Sequence, residues 1–226
     1  MIVLRALGAL LTYPRPELRA ALPEIDHVVV NSALVDAERR EQLRQLIGEL
    51  GHTDLLELEQ RYVALFDTGR STCLWLFEHV HGESRDRGQA MVDLKGIYER
   101  AGFHLAANEL PDYLPALLEY LSYRELPEAH SMLGDCAHIL RKIGARLAAQ
   151  GSQYAAVFAA LLRIAARPGF AMPMATATEP GSGGERFVDE EWTEAPAFGP
   201  GSAGTEPKVE PLRYMPRGSR GEGALP

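Results

Sequence analysis

Two histidines flanked by carboxylates are the side chains of this sequence best suited by type to chemistry. His79 and His81 lie close to Glu78 and Glu83, and imidazole and carboxylate groups are both ligands of zinc. Side chains two positions apart on a helix point roughly 200° away from each other, so this pair converges only in an extended chain. No H-E-x-x-H motif is present. The spacing favours histidines that hydrogen-bond to nearby oxygens, and a metal-dependent enzyme built on this region is the alternative.

Other groups capable of covalent chemistry are better explained by structural roles. Cys73 lies in the apolar run CLWLF, a setting that raises the pKa of a thiol and makes it a packing residue. Ser84 stands outside a G-x-S-x-G motif, and we expect it to cap the helix that follows. Cys73 and Cys136 form no C-x-x-C pair, and no glycine-rich phosphate loop occurs. The sequence therefore indicates neither a cysteine zinc site nor nucleotide hydrolysis, and we expect no bound metal and no cofactor.

A helical period of apolar residues runs through most of the first 165 residues. Each stripe repeats at i, i+3, i+4 and i+7, which predicts one helix. The stripes cover residues 2–11, 43–50, 55–66, 91–101, 114–121, 133–147 and 157–165. The one strand-like run, residues 28–30, is too short to form a stable sheet. The sequence predicts an all-α fold, a single helical bundle domain at residues 1–167.

Polar residues, prolines and glycines mark the expected ends of these helices. Ser32 and Thr53 precede two of the stripes as predicted caps. Pro111 and Pro127 stand at predicted first turns, where the missing N–H is harmless. Three glycines are expected to follow helix ends: Gly51, Gly102 and Gly151.

The C-terminal residues 168–226 differ in character from the rest. Glycine and proline make up about a third of them, and the helical period disappears. An acidic aromatic segment, ERFVDEEWTEAPAF, interrupts this composition with Phe187, Trp192 and Phe198. We expect a disordered tail whose aromatics either remain solvated or dock on a groove of this chain or another.

Charge and hydropathy limit the environment of the chain. A formal net charge of −8 and a pI near 5.4 argue against a nucleic-acid surface. The apolar run at residues 2–11 contains Arg5 and is shorter than the roughly 20 residues that a membrane span requires. We expect no membrane insertion, and the two separated cysteines suit a reducing cytoplasm.

Two segments have the composition of a peptide groove. In the first, aromatic residues are followed by the charges of Glu83 and Arg87, as in an apolar site with a polar rim. In the second, ELPDYLPALLEYLS, the carboxylates of Glu109 and Asp112 are expected at the positive end of a helix, beside Tyr113. Such carboxylates either cap the helix or attract a basic amphipathic peptide, and the spacing leaves both readings open.

The same segments carry a family resemblance. YVALF, residues 62–66, matches a Y-x-x-L-F element, and ELPDY, residues 109–113, matches an E-x-P-D-[H/Y] element. Both are hallmarks of the TorD/DmsD-like redox-enzyme maturation chaperones. Residues 67–105, with LLTYPRPEL before them, resemble more narrowly the NarJ-type nitrate reductase molybdenum cofactor assembly chaperones. The likeness covers roughly residues 4–165 and reaches into the tail through DEEWTEAPAF.

The resemblance implies a dedicated cytoplasmic chaperone that is not an enzyme. Such a protein binds the N-terminal segment of the apo catalytic (alpha) subunit of respiratory nitrate reductase. It supports insertion of the molybdenum cofactor, delays membrane attachment until maturation, and is absent from the final enzyme. The remaining alternative is a permanent scaffold subunit of a redox complex.

The resemblance also implies which residues bind the peptide. One wall of the groove would consist of Tyr62, Leu65 and Phe66, and the other of Glu109, Pro111, Asp112 and Tyr113. Further candidates, taken from the long matching run, are Trp75, Phe77, His79, His81, Glu83 and Arg87. Cys73 and Trp75 replace the smaller or more polar residues expected there, which alters the local shape of the groove. Tyr113 in place of histidine argues against a titrating group at that position.

Overall fold

Within residues 1–80, 86–106 and 109–165, which the computed structural model describes, the chain forms eight α-helices and no β-strand. The helices are α1 (Ile2–Leu10), α2 (Pro16–Asn31), α3 (Ala37–His52), α4 (Leu55–Tyr62), α5 (Asp86–Arg100), α6 (Leu114–Ser122), α7 (Leu126–Ala149) and α8 (Ala155–Ile164). A π-helical turn, Val63–Asp67, continues α4, and a short 3-10 helix, Leu76–His79, precedes α5. The predicted all-α class is confirmed.

Helix α1 lies at the centre of the bundle because it is apolar on most of its surface. Leu4, Leu7 and Leu10 are fully buried, and the helix packs against α2, α6 and α8. Its approach to α6 is close at Gly8, where an added Cβ would lie 3.2 Å from the Cβ of Leu118. The predicted buried first helix is therefore correct. Helix α7 packs along α8.

Helix α2 was not predicted, because residues 28–30 are three consecutive valines with a strand-like appearance. In the structure the burial follows a helical period instead, with Leu18, Leu22, Ile25 and Val29 facing the core. Val29 is fully buried, whereas Val30 is exposed. Packing against α1 and α3 outweighs the weak helix propensity of the valines.

Two predicted caps are wrong, one by four residues and the other by one residue. Helix α3 begins after Asp36, whose carboxylate accepts a hydrogen bond from the N–H of Arg39 at 3.0 Å. Helix α4 begins after Asp54, which accepts from the N–H of Leu56 at 3.0 Å. Ser32 and Thr53 instead follow the ends of α2 and α3. An aspartate directly adjacent to the first turn is a better acceptor than a hydroxyl farther upstream.

The glycine and proline predictions are partly confirmed. Gly102 and Gly151 lie two residues after the last residues of α5 and α7 and have positive φ angles of 73° and 69°. Gly51 lies inside α3 and does not terminate the helix. Pro127 occupies the first turn of α7 as predicted. Pro111 does not open α6, because Pro115 holds that position.

Several sequence predictions fall on residues outside the described ranges. These are His81, Glu83, the Ser84 cap and the tail with its aromatic residues. Among the described residues, no helix has the length and apolarity needed to cross a bilayer.

Candidate aromatic groove

A cavity of about 370 Å³ opens between four segments of the bundle. Its walls are formed by the loop after α1, the end of α4 with the π-helical turn, residues 74–75 and residues 109–113. Its lining is mainly aromatic or aliphatic: Tyr13, Tyr62, Phe66, Asp67, Leu74, Trp75, Glu109, Leu110 and Tyr113. We call this cavity the aromatic groove. It lies within the volume range of ligand pockets, which are usually apolar with a few polar groups.

The first wall is positioned by the π-helical turn that continues α4. The N–H of Thr68 donates to the carbonyl of Val63 at 3.0 Å, five residues back, which widens the turn. Tyr62 donates from its hydroxyl to the carbonyl of Leu11 at 2.9 Å. Phe66 packs edge-on against Tyr154, with 5.1 Å between ring centroids. Such π-helical turns are rare in proteins, but those that do occur are often found at functional sites.

The second wall is held by an isolated antiparallel β-bridge between Trp75 and Tyr113. The N–H of Leu76 donates to the carbonyl of Asp112 at 3.0 Å, and the N–H of Leu114 donates to the carbonyl of Leu74 at 2.8 Å. This pairing sets the rings of Trp75 and Tyr113 side by side, with 5.9 Å between centroids. The hydroxyls of Tyr62 and Tyr113 are 3.3 Å apart, so the two walls meet there.

Asp112 lies behind the second wall and does not line the groove. It is fully buried, and its Oδ2 accepts from the N–H of Phe77 at 3.1 Å. Burial raises the pKa of this carboxyl, and the Phe77 N–H and the charge of Arg87 oppose the rise. Asp112 lies two residues before α6, at the start of the helix as expected, but its carboxylate does not cap α6. It ties the 3-10 helix to the chain before α6 instead.

The phenols of Tyr62 and Tyr113 are neutral, because the pKa of each is raised above its ordinary value. Burial is the main cause that raises the pKa of Tyr62 and of Tyr113. The nearby charge of Asp67 adds to both increases. Asp67 and Glu109 are themselves exposed at the edge of the groove. The groove thus combines a neutral aromatic interior with negatively charged edges.

Comparison with known proteins identifies the family. Residues 32–160 match the family model described as nitrate reductase delta subunit. The chain is 44% identical over 165 residues to the nitrate reductase molybdenum cofactor assembly chaperone NarJ of Escherichia coli K12, covering 73% of this chain and 70% of the relative. This chain belongs to the NarJ-type assembly chaperone family.

Two further relatives support the assignment to the NarJ-type family. A probable chaperone of the same description, NarW of Escherichia coli K12, is 40% identical over 73% of this chain and 68% of its own length. The probable NarJ of Bacillus subtilis 168 is 33% identical over 71% of this chain and 86% of its own length. A chaperone role follows from this membership.

The structure brings together some of the NarJ-type motif residues and separates others. Tyr62, Phe66, Trp75, Glu109 and Tyr113 line the groove. Other candidates are not among its lining residues: Leu65, Phe77, His79, Arg87, Pro111 and Asp112. Pro111 is buried, and its carbonyl accepts from the hydroxyl of Tyr98 at 2.8 Å.

Four lining residues were missed at the sequence level: Tyr13, Asp67, Leu74 and Leu110. All four lie within segments that carry the family resemblance: Tyr13 in LLTYPRPEL, Asp67 and Leu74 in residues 67–105, and Leu110 in ELPDY. Nothing in the local pattern distinguishes Leu74 or Leu110 from core residues. Leu110 is 45% exposed, which only the tertiary structure reveals.

The histidine region next to the groove is held by hydrogen bonds. His79 Nε2 lies 2.9 Å from the carbonyl oxygen of Cys73 and donates to it, as the sequence favoured. Burial lowers the pKa of His79 and raises the pKa of the Cys73 thiol. Arg87 forms an ion pair with Glu78. Among the described residues, no group of three or more ligand-type side chains could hold a metal ion.

Proposed function

We propose that this chain is a cytoplasmic chaperone for respiratory nitrate reductase that binds the N-terminal segment of the apo catalytic subunit. In this role it supports insertion of the molybdenum cofactor, delays membrane attachment and leaves before the enzyme is complete. It performs no catalysis and carries no cofactor of its own. The family membership and the names of the relatives support the nitrate reductase assignment.

The observation that carries the peptide-binding proposal is the aromatic groove. Both family elements, YVALF and ELPDY, contribute to it from opposite walls. An amphipathic helix binds by placing a few apolar side chains into such a groove, and each well-buried anchor stabilises the complex by about 1.5–3 kcal/mol before ordering costs. Tyr62, Phe66, Trp75, Glu109 and Tyr113 would contact the peptide directly.

The motif residues outside the groove have supporting roles in this proposal. Asp112 and Pro111 fix the second wall through Phe77 and Tyr98. Leu65 packs against the core next to the first wall. The 3-10 helix is held by hydrogen bonds from the N–H of Phe77 to Asp112 and from His79 to the carbonyl of Cys73. Arg87 adds an ion pair with Glu78 of the same helix.

Chaperoning requires that the peptide-bearing subunit be bound in one state and not in the other. A ligand with equal affinity for two states shifts no equilibrium between them. We therefore expect tighter binding to the apo subunit than to the subunit that contains its cofactor. Equal affinity for both forms would contradict release on cofactor insertion.

The decisive experiment is calorimetric titration with a synthetic peptide of the catalytic subunit's N-terminus, beside a scrambled peptide. Trp75→Ala is the groove variant, because Trp75 is only half-buried and its loss leaves the core intact. Tyr123→Ala is the matched control, since Tyr123 is 59% exposed and lies outside the groove. We expect selective binding that Trp75→Ala weakens by at least about tenfold, a loss of about 1.4 kcal/mol, and Tyr123→Ala leaves unchanged.

Two outcomes would contradict the proposal. If the folded wild-type protein does not bind the peptide at low salt, the N-terminal segment is not the client site. If Trp75→Ala and Tyr123→Ala bind the peptide as wild type does, the binding surface lies elsewhere on the bundle.

A further inference from the structure

The charged lining residues of the aromatic groove have one sign and lie on different walls. Asp67 ends the π-helical turn, and Glu109 belongs to the segment before α6. The lining that the structure describes contains no lysine, arginine or histidine. No ion pair among the described residues includes Asp67 or Glu109. A purely apolar occupant would supply neither carboxylate with a counter-charge, whereas a cationic occupant would supply one to both.

The aromatic rings between these carboxylates also favour a cation. Tyr13 packs edge-on against Tyr62, with 5.4 Å between ring centroids, and Trp75 lies beside Tyr113 at 5.9 Å. The face of an aromatic ring attracts a guanidinium or ammonium group, and tryptophan does so most strongly. The methylene stem of a lysine or arginine can pack on the same apolar walls.

The hydroxyl hydrogens of Tyr62 and Tyr113, where the two walls meet, are both engaged in hydrogen bonds within the protein. Tyr62 donates to the carbonyl of Leu11, so in its 3.3 Å contact with Tyr113 the hydroxyl of Tyr113 is the donor. Both phenols are also neutral, as described above. The oxygen of Tyr113, which is half-buried, and the two exposed carboxylates offer acceptors to an occupant, and acceptors suit a group that consists only of donors. Arginine and lysine side chains are such groups.

We infer that the aromatic groove contains a subsite for one arginine or lysine side chain of the client's N-terminal segment, between the carboxylates of Asp67 and Glu109. This inference rests on the proposed function and adds the chemistry by which the peptide is recognised. It makes Asp67 a specificity-determining residue. The subsite selects a segment in which a basic residue is close to an apolar anchor, and it disfavours an acidic segment.

The test is a set of titrations in which charge is removed from one partner at a time. On the protein, Asp67→Asn and Glu109→Gln remove one charge each, and both residues are exposed. Asp135→Asn and Glu24→Gln are matched controls, because they lie exposed on α7 and α2 outside the groove. On the peptide, each arginine is replaced in turn by citrulline and each lysine by acetyl-lysine.

We expect each groove variant to weaken binding of the unmodified peptide by about fivefold. The control variants should change it by less than about twofold, because they alter only the net charge. For one of the neutralised peptides, Asp67→Asn and Glu109→Gln should bind as tightly as the wild-type protein does. Such coupling between one position and both variants identifies the subsite.

Three results would overturn the inference. Groove and control variants of equal effect would mean that net charge alone attracts the peptide. Effects that persist with every neutralised peptide would mean that neither carboxylate contacts a basic side chain. Wild-type affinity in both groove variants would mean that no basic side chain of the peptide lies between the two carboxylates. Each of these three results is compatible with the proposed function. If the peptide does not bind the wild-type protein at all, both the proposed function and the subsite are contradicted.

Discussion

At the scale of single residues, Asp112 is a fully buried carboxyl group. One carboxylate oxygen accepts from the N–H of Phe77 at 3.1 Å, and the other is buried without a hydrogen-bond partner among the described residues. A buried oxygen without a partner is unfavourable, and it is tolerated here because the carboxyl joins two segments of the groove wall. Asp112 is thus a positioning residue for Trp75 and Tyr113.

Two substitutions separate the hydrogen bond of Asp112 from its charge. Asp112→Ala leaves the buried N–H of Phe77 without an acceptor, and we expect the free energy of unfolding to fall by about 1–3 kcal/mol. Asp112→Asn keeps an acceptor oxygen and should cost clearly less. Urea denaturation of both variants measures the difference. Equal losses would mean that the charge, and not the hydrogen bond, stabilises this wall.

The titration of Asp112 predicts a pH dependence of stability. Because burial raises its pKa in the folded protein, the unfolded chain loses the proton at a lower pH than the folded protein does. The contribution of Asp112 to stability is therefore largest below about 3.9, the ordinary aspartate pKa, and falls as the pH rises through the folded pKa. The stability of Asp112→Asn relative to wild type should rise across this window and then remain constant. Urea denaturation from pH 4 to pH 7.5 checks this, and a relative stability that falls with pH would contradict it.

At the scale of the elements, the helices differ in how their glycines are used. Gly48 lies in the interior of α3, and a Cβ added there would meet no atom within 4 Å. Gly151 has equal space but follows α7 with a φ of 69°. A side chain is strained at a positive φ and favourable in a helix interior.

The two glycines provide a matched pair of substitutions to alanine. We expect Gly48→Ala to raise the free energy of unfolding by about 0.5–1 kcal/mol, because alanine has less freedom to lose in a helix. Gly151→Ala should lower it by about 1–2 kcal/mol through backbone strain alone. Thermal unfolding of both proteins measures the changes. Shifts of the same sign would mean that local packing, and not backbone conformation, decides the effect.

Element boundaries also explain which parts of the fold were predictable. Helices α1, α7 and α8 have long apolar stripes, and their predicted positions agree with the structure. Helix α2 was not predicted because residues 28–30 are β-branched and look like a strand. Contacts with α1 and α3 stabilise them as part of a helix. The caps of α3 and α4 were misplaced because several polar residues compete there, and backbone geometry selects Asp36 and Asp54.

At the scale of the whole molecule, one hydrophobic core extends from Val3 to Ala165. Helix α8 contributes to it almost along its entire length, with Val157, Phe158 and Leu161 fully buried. The apolar period that forms this core does not continue into residues 168–226. We retain the division into a helical domain at 1–167 and a disordered tail as a prediction.

Deletion of the chain from residue 168 tests that division. We expect the truncated protein to unfold at the temperature of the full chain, because the truncation removes no residue of the described core. A change of 1 kcal/mol would shift the melting temperature by about 2–4 °C in a domain of this size, so a smaller shift supports independence. A larger decrease would show that the tail packs on the bundle. Circular dichroism of both proteins at equal concentration provides the measurement.

The sequence alone determined the all-α class, most of the helices and the family, because these depend on periodic burial and on contiguous motifs. Local periodicity also placed Tyr62 and Phe66 on one face of a helix. Only the tertiary structure decided that Trp75 pairs with Tyr113, that Asp112 is buried behind this pair, and that Asp67 and Glu109 lie across one groove. These residues are distant in sequence, and the contacts that bring them together arise from the packing of several helices at once.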